Sequence, residues 1–208
     1  MGGLFVTIEG IDRAGKSTQA RLLCEALGEI ALSVREPGGT AVGERVRELL
    51  KDPTVEIGPE AEALLFASAR AELAARVIRP ALDAGRIVVS DRFLDSSLAY
   101  QGAARGLGLD EVARVNEWAT HGLVPDLTLL LELDPSRAAG RGGEQDRFEA
   151  EGSGLQQRVL AAYEQLAAEE PVRWRRIDAD RPVEDVHADV LAAVRTAMPA
   201  PSVRAARA

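Results

Sequence analysis

Gly10-Ile11-Asp12-Arg13-Ala14-Gly15-Lys16-Ser17 decides how the rest of this chain is read. The stretch fits Gly-x-x-x-x-Gly-Lys-Ser/Thr, the phosphate-binding loop of nucleotide-binding folds. Its surroundings agree. Residues 4–8 form a short apolar, β-rich run, and residues 17–27 place apolar side chains at helical spacing. Strand, glycine loop and helix is the order this motif requires. Gly10 and Gly15 let successive backbone N–H groups turn toward one anion, and the new helix adds its positive end at the same point. Lys16 reaches the outer phosphates, and the Ser17 hydroxyl is placed to hold Mg²⁺. A chance glycine turn would not sit between a strand and a helix.

The chain has 208 residues, enough for one domain, and 46% are hydrophobic, enough for a sizeable core. Its formal charge of -8 argues against a general nucleic-acid or anionic-membrane partner, but not against a small anion held by local arginines. Cys24 is the single cysteine, so no internal disulfide forms, and its helical position reads as core. The first residues lead into a strand without a basic region followed by a signal-type apolar segment, and no apolar run is long enough to span a bilayer. A cytoplasmic protein is the expectation.

Four further strands are expected near residues 33–36, 86–92, 126–133 and 172–177. Between and after them lie helices at 41–51, 59–83, 94–104, 111–120, 155–169 and 183–197, with a short one starting at Pro135. Val42, Val46, Leu49 and Leu50 share one face of the second helix. Pro80 predicts a kink near Arg79, and Asp110 is expected to cap the helix that follows it. Residues 140–154 are glycine-rich and charged and read as a mobile lid; residues 199–208 read as a disordered tail. Strands alternating with helices predict an α/β fold, a single domain over residues 1–198. Its five-stranded parallel sheet carries helices on both faces and binds ligands at the carboxyl ends of the strands.

Those strand ends carry the chemistry. Asp91-Arg92 closes a buried strand, with an acid suited to Mg²⁺ or its waters and a planar cation suited to phosphate. Arg13, Arg35, Arg47, Arg70, Arg92, Arg141 and Arg147 fall in or beside the loops at that end, and cations gathered in an acidic chain call for an anionic ligand. Phe66 and Arg70 are one helical turn apart, spaced to stack on a base and bond its carbonyl; a core phenylalanine with a surface arginine has the same spacing. Tyr100 and Gln101 stand in the same position.

With these segments in hand, the sequence resembles the thymidylate (dTMP) kinases over nearly its whole length. The resemblance is carried by residues 5–18, by Arg35-Glu36-Pro37-Gly38-Gly39-Thr40 and by Phe66-Ala67-Ser68-Ala69-Arg70. Asp91-Arg92-Phe93 with residues 96–102, Pro125-Asp126-Leu127-Thr128 and the arginine-bearing lid complete it. It implies a P-loop NTPase-type fold with a mobile lid, the third strand lying between the first and second. It also implies Mg²⁺-dependent phosphoryl transfer from ATP to dTMP, and a homodimer formed through helices. ATP would be held by Gly10, Ile11, Asp12, Arg13, Ala14, Gly15, Lys16, Ser17 and Thr18. Asp12 would also reach the acceptor, which Glu36, Pro37, Arg47, Arg92 and Ser96 would surround at its phosphate and sugar. Phe66 would stack on thymine, Arg70 would bond its O4, Ser97 and Gln101 would complete the base site, and Tyr100 would crowd the 2′ position. Ser17 and Asp91 would serve the metal. Catalysis would fall to Asp12, Arg13, Lys16, Arg92, Arg141 and Arg147; whether the loop arginine or the two lid arginines serve the transition state stays open. A kinase for another nucleotide or a deoxynucleoside is the nearest rival. A GTPase switch would carry Asn-Lys-x-Asp, which this chain lacks.

Overall fold

Five strands form one parallel sheet in the order β2-β3-β1-β4-β5. The computed structural model describes residues 2–141 and 153–198. The strands are β1 (Leu4–Glu9), β2 (Ala31–Arg35), β3 (Ile87–Asp91), β4 (Leu127–Glu132) and β5 (Trp174–Asp178). Each lies within two residues of its expected place, and β3 falls between β1 and β2 as the resemblance implies. β1 runs beside both β3 and β4, with Ile8 opposite Asp91 on one side and Leu129 on the other. The order of strand connections reverses at β1, so a crevice opens beyond its carboxyl end. Strand alternation divides the core. Val6, Ile8 and Leu129 face one layer with Leu23, Val159, Tyr163 and Val190. Phe5 and Val88 face the other, with Leu73, Ile78 and Phe93.

The first layer is covered by α1 (Lys16–Leu27), α8 (Ser153–Glu169) and α9 (Val183–Ala197). Across the sheet, α3 (Pro59–Leu73) continues through a widened π turn (Ala74–Ile78) into α4 (Arg79–Asp83). The expected proline kink is therefore absorbed by the turn before it. Pro80 has no N–H to donate, and the wider spacing keeps its ring clear of the preceding carbonyls. A second π turn (Leu98–Ala104) extends α5 (Leu94–Ser97), and α6 (Leu109–Thr120) packs beside it. α2 (Ala41–Lys51) follows β2, and α7 (Pro135–Ala139) follows β4.

Of the four apolar residues on the shared face of α2, Leu50 is fully enclosed, but Val42 and Leu49 are exposed, because the helix lies at the rim of the fold. Thr40 caps α2 by accepting from the Gly43 N–H at 2.9 Å. Asp110 does not cap α6; the helix starts two residues earlier, after Gly108, and Asp110 lies in its first turn. The lid from residue 140 and the tail at 199–208 fall almost wholly outside the described residues, and Arg147 with them.

A buried polar strut ties the far end of the sheet to the functional end. Arg173, just before β5, donates from Nη1 and Nη2 to the two oxygens of Asp95 in α5, at 2.6 and 3.0 Å. Thr128 of β4 joins them, and Thr7 of β1 donates to Thr128 at 3.1 Å. The Asp95 side chain is wholly buried and that of Arg173 nearly so. Arg173 also donates to half-exposed Glu170, from Nε at 2.9 Å and from Nη2 at 2.8 Å, so removal of Asp95 leaves its charge partly compensated. Asp95→Ala is expected to cost about 1–3 kcal/mol, the range for leaving buried partners unsatisfied, read as a lower urea midpoint with an unchanged m-value. A loss below about 1 kcal/mol, the range of exposed pairs, would show that solvent screens this one as well.

Candidate active site

The glycine loop bridges β1 and α1. Gly10 adopts φ 140°, and a Cβ there would lie 2.6 Å from the Leu131 carbonyl oxygen. Ile11 and Ala14 point into the core and anchor the loop. Gly15, at φ 100°, ends it without a side-chain cap on α1. The first turn of α1, Lys16-Ser17-Thr18-Gln19, carries no acid, so the positive helix end is not neutralised locally. Lys16 Nζ donates to the Ile11 carbonyl at 2.7 Å, folded back over its own loop. Ser17 Oγ donates to Asp91 Oδ2, joining the loop to the end of β3.

In front of the loop lies a cavity of about 400 Å³. Asp12, Arg13, Lys16 and Ser17 line it on the loop side, and Glu36, Pro37, Arg47, Phe66, Arg70, Asp91, Arg92, Ser96, Ser97, Tyr100 and Gln101 on the others. Counting Arg21, Arg35 and Lys51 as well, eight cationic side chains line it against three carboxylates. In a chain of charge -8, that concentration marks a site for a polyanion. Phe66 is only half-buried and lies on the wall, so it is not a core residue.

Arg92 is the hub. Its backbone is left-handed at φ 70°, as is that of Arg13 at φ 63°. Arg92 Nη2 donates to Asp12 Oδ1 at 2.5 Å, and Nη1 donates to the Gly10 carbonyl at 3.1 Å. Its guanidinium lies 5.0 Å from the centre of the Tyr100 ring. Gln156 in α8 completes the cradle: its Nε2 donates to Asp12 Oδ2 at 2.7 Å, and its Oε1 accepts from the Asp12 N–H at 3.1 Å. Burial pushes the Asp12 carboxyl up, but the charges of Arg92 and Lys16 outweigh it and hold the group below its ordinary range. Beneath the hub, Glu9 accepts from the Phe93 N–H at 2.7 Å, from Ser96 Oγ at 2.6 Å and from Tyr163 Oη at 2.8 Å. Arg92 Nη1 in turn donates to both hydroxyls, at 3.1 and 3.3 Å. Burial, and then the charge of Asp95, raises the Glu9 carboxyl to about 7.

Arg70 is almost fully buried. Its Nε donates to Glu36 Oε2 at 2.7 Å, Nη2 to the Phe93 carbonyl at 3.1 Å, and Nη1 to Ser97 Oγ at 3.0 Å and to Asn116 Oδ1. Glu36 Oε1 is buried and has no hydrogen-bond partner among the described residues. Arg141 stands apart from the acceptor cavity. It donates from Nη1 to the carbonyls of Arg13 and Ala14, at 3.3 and 3.4 Å, and from Nη2 to the Ala179 carbonyl at 2.8 Å. It therefore braces the loop from behind, on the β5 side. Thr18 is exposed at the start of α1.

Asn116, Gln156 and Tyr163 carry the site without having stood out as candidates. Gln156 and Tyr163 are two turns apart on one face of α8, and Asn116 lies on the buried face of α6 with Val112, Ala119 and Thr120. A polar residue on an otherwise apolar helical face was the available signal.

A strand, glycine loop and helix opening on a cation-lined cavity at a sheet switch point define a P-loop phosphotransferase. The sequence model of thymidylate kinase matches residues 8–190, and the chain belongs to that family. It is 50% identical to the thymidylate kinase of Leifsonia xyli over 90% of this chain and 92% of that one. It is 47% identical to the thymidylate kinase of Deinococcus radiodurans, with 92% and 96% covered. The crystal structure of thymidylate kinase from Ehrlichia chaffeensis superposes with a TM-score of 0.79 at 31% identity, covering 94% of this chain and all of that one.

The Lys16 ammonium titrates within reach of experiment. Burial, and then the neighbouring Arg92, brings it down to about 8. Below that pH it is charged and attracts phosphates; above it, binding must first take up a proton. Affinity for a nucleoside triphosphate is expected to be flat up to about pH 7. It should then weaken toward tenfold per pH unit above about 8, the slope of one linked proton. Calorimetric titration from pH 6 to 9.5 reads this directly, and a flat profile would place the Lys16 titration elsewhere.

Proposed function

We propose that the protein transfers the γ-phosphoryl group of ATP to dTMP, giving dTDP and ADP. The observation that carries this reading is one ion pair: Asp12, from the donor loop, is bound by Arg92, from the acceptor wall, at 2.5 Å. Donor and acceptor machinery thus meet at a single point. Phosphoryl transfer needs little covalent help from the protein; it needs two polyanions held in line and their charge cancelled. The loop amides, Lys16 and the α1 terminus hold the triphosphate. Arg47 and Arg92 hold the acceptor phosphate, Phe66 stacks on the base, and Tyr100 crowds the 2′ position. Arg13 projects toward both phosphates from a left-handed backbone that aims its side chain into the cavity. With Arg141 committed behind the loop, Arg13 is the described arginine suited to the transferring group.

Mg²⁺ fits the donor set. Ser17 and Asp91 offer hard oxygens already joined to each other at the mouth of the loop, and Mg²⁺ uses one or two such ligands with phosphates and waters. When bound, the ion neutralises charge on the triphosphate. Ser17 and Asp91 position that charge, while the loop and Arg92 exclude water from the space between the phosphates. We place the reaction in the cytoplasm, where the nucleotides are. Among the described residues no helix is long and apolar enough to cross a membrane.

The homodimer we assign to the outer face of α3 and α6. Leu64, Ala67, Ala71, Val115 and Ala119 border a shallow apolar groove there, and Trp118 stands 81% exposed beside it. The occupant is the same face of a second copy, a self-complementary contact. The assignment links assembly to chemistry, since α3 also carries Phe66 and Arg70 and α6 carries Asn116.

Two measurements test these readings. ADP release from ATP, with dTMP, dUMP, UMP, dCMP, dGMP and thymidine offered separately, is expected to be fastest with dTMP; no release with dTMP would sink the transfer reading. In analytical ultracentrifugation at micromolar concentration the wild type is expected to run as a dimer and Trp118→Glu as a monomer, because a charge in an apolar interface must be desolvated. A wild-type monomer, or a dimer indifferent to the substitution, would move the interface elsewhere.

A further inference from the structure

Gln101 and Ser97 lie on the same cavity wall, and what Gln101 can offer a base depends on which end of its amide faces inward. An amide can turn over at little cost, so its orientation is set by its neighbours. The neighbour here is Glu62. Its side chain is almost completely buried at the base of α3, and its Oε1 accepts from Gln101 Nε2 at 2.9 Å. An ionised carboxylate only accepts hydrogen bonds. The Gln101 NH₂ must therefore face Glu62, and the carbonyl Oε1 is the end left for the cavity. Arg105 fixes the Glu62 carboxylate, donating from Nε to Oε1 at 3.2 Å and from Nη2 to Oε2 at 3.1 Å.

We infer that Glu62 is a positioning residue for base selectivity. By orienting the Gln101 amide it makes the site accept a pyrimidine whose N3 carries a proton and refuse one whose N3 is a lone pair. This rests on the dTMP reading and deepens it. On the donor side of the same wall, Arg70 donates to Ser97 Oγ at 3.0 Å, which turns the Ser97 hydroxyl proton away from Arg70. The wall then offers the Ser97 hydroxyl as a donor beside an acceptor, the complement of a carbonyl beside an N–H, as on the imide edge of thymine or uracil. Cytosine presents the reverse, an amino group beside an unprotonated N3, and sets lone pair against lone pair at Gln101. Mispaired buried polar groups are what make such sites discriminate strongly.

The test is the ratio of kcat/KM for dTMP to that for dCMP. The main variant is the double Glu62→Met/Arg105→Met, which removes the buried pair together and leaves no unpaired charge. Its ratio is expected to fall at least about tenfold, with the Gln101 amide free to turn over. Glu62→Gln is expected to keep the wild-type ratio, because its amide oxygen still accepts from Gln101 and the partly exposed Arg105 can shift. Gln101→Met leaves the Glu62–Arg105 pair intact and is expected to lose selectivity as the double variant does. A folded double variant that slows on both substrates equally, with its ratio unchanged, would overturn the inference and leave Glu62 a structural residue. If the double variant does not fold, Gln101→Met decides: an unchanged ratio overturns the inference, and a lost one supports it. Wild-type protein that does not use dTMP would sink the parent reading instead, so the two failures are distinguishable.

Discussion

The Arg92–Asp12 pair joins two turns that would otherwise be independent. One turn follows β1 and carries the phosphate loop; the other follows β3 and carries Asp91, Arg92 and the start of α5. Arg92 reaches across to both Asp12 and the Gly10 carbonyl. It does so from a left-handed backbone, which costs a non-glycine residue roughly 1–3 kcal/mol. Something must hold it there, and Glu9 does. Glu9 takes the Phe93 N–H and two hydroxyl protons, and those hydroxyls turn their lone pairs toward Arg92. When ionised, Glu9 only accepts, and it then polarises every member of the chain of bonds in one direction. Burying Glu9 is unfavourable by itself, as its raised carboxyl shows, but its loss would leave the turn without its anchor. Stability is exchanged for a fixed guanidinium.

That hub explains why part of the site was legible in the sequence and part was not. The loop signature survives any context, because glycine at Gly10 and Gly15 and the cation at Lys16 are local requirements. Strand positions followed from apolar runs bounded by charge. The functions of Glu9 and Glu62 were illegible for the opposite reason. A glutamate in an acidic chain looks like solvated surface, and only tertiary contact shows that Phe93, Ser96 and Tyr163 converge on Glu9 or that Arg105 covers Glu62. The face of α2 shows a similar limit: periodicity reports a stripe but not whether a neighbouring element covers it, and Val42 and Leu49 are left in solvent. Phe66 shows the reverse case, where a residue type common in cores lies on a cavity wall.

The helix after Asp91 was expected as a single helix, and its path is continuous, but its turn width was not readable. Ser96, Ser97, Tyr100 and Gln101 all border the cavity, although they span more than a turn. In a regular α-helix such a set spreads round a wide arc. The π turn over Leu98–Ala104 places more residues in each turn, so residues four and five apart point in more similar directions. Gly102 permits this turn to pack closely, since a Cβ there would come within 3.2 Å of Leu109. Widened turns cost hydrogen-bond geometry, and their location here, on the base wall and again in the α3–α4 path, matches their use where side chains must converge.

Charge distribution follows from the same economy of position. A net charge of -8 over the whole chain repels free nucleotides at long range, yet the cavity is strongly cationic. At physiological ionic strength the Debye length is about 8 Å, so remote surface acids are screened while Lys16, Arg13 and Arg92 act at contact distance. The acids inside the cavity do not cancel them. Asp12 and Glu36 are each bound to a guanidinium, so each fixes the direction of a cation while offsetting one charge, and eight cations against three carboxylates leave the cavity positive. Asp91 is bound to Ser17 and directed at the loop mouth. Each carboxylate in the cavity thus orients another group, and the uncompensated charge that remains is positive and aimed at the space between donor and acceptor. That is the arrangement a transferring phosphoryl group requires, because its charge is spread over oxygens lying between the two sites.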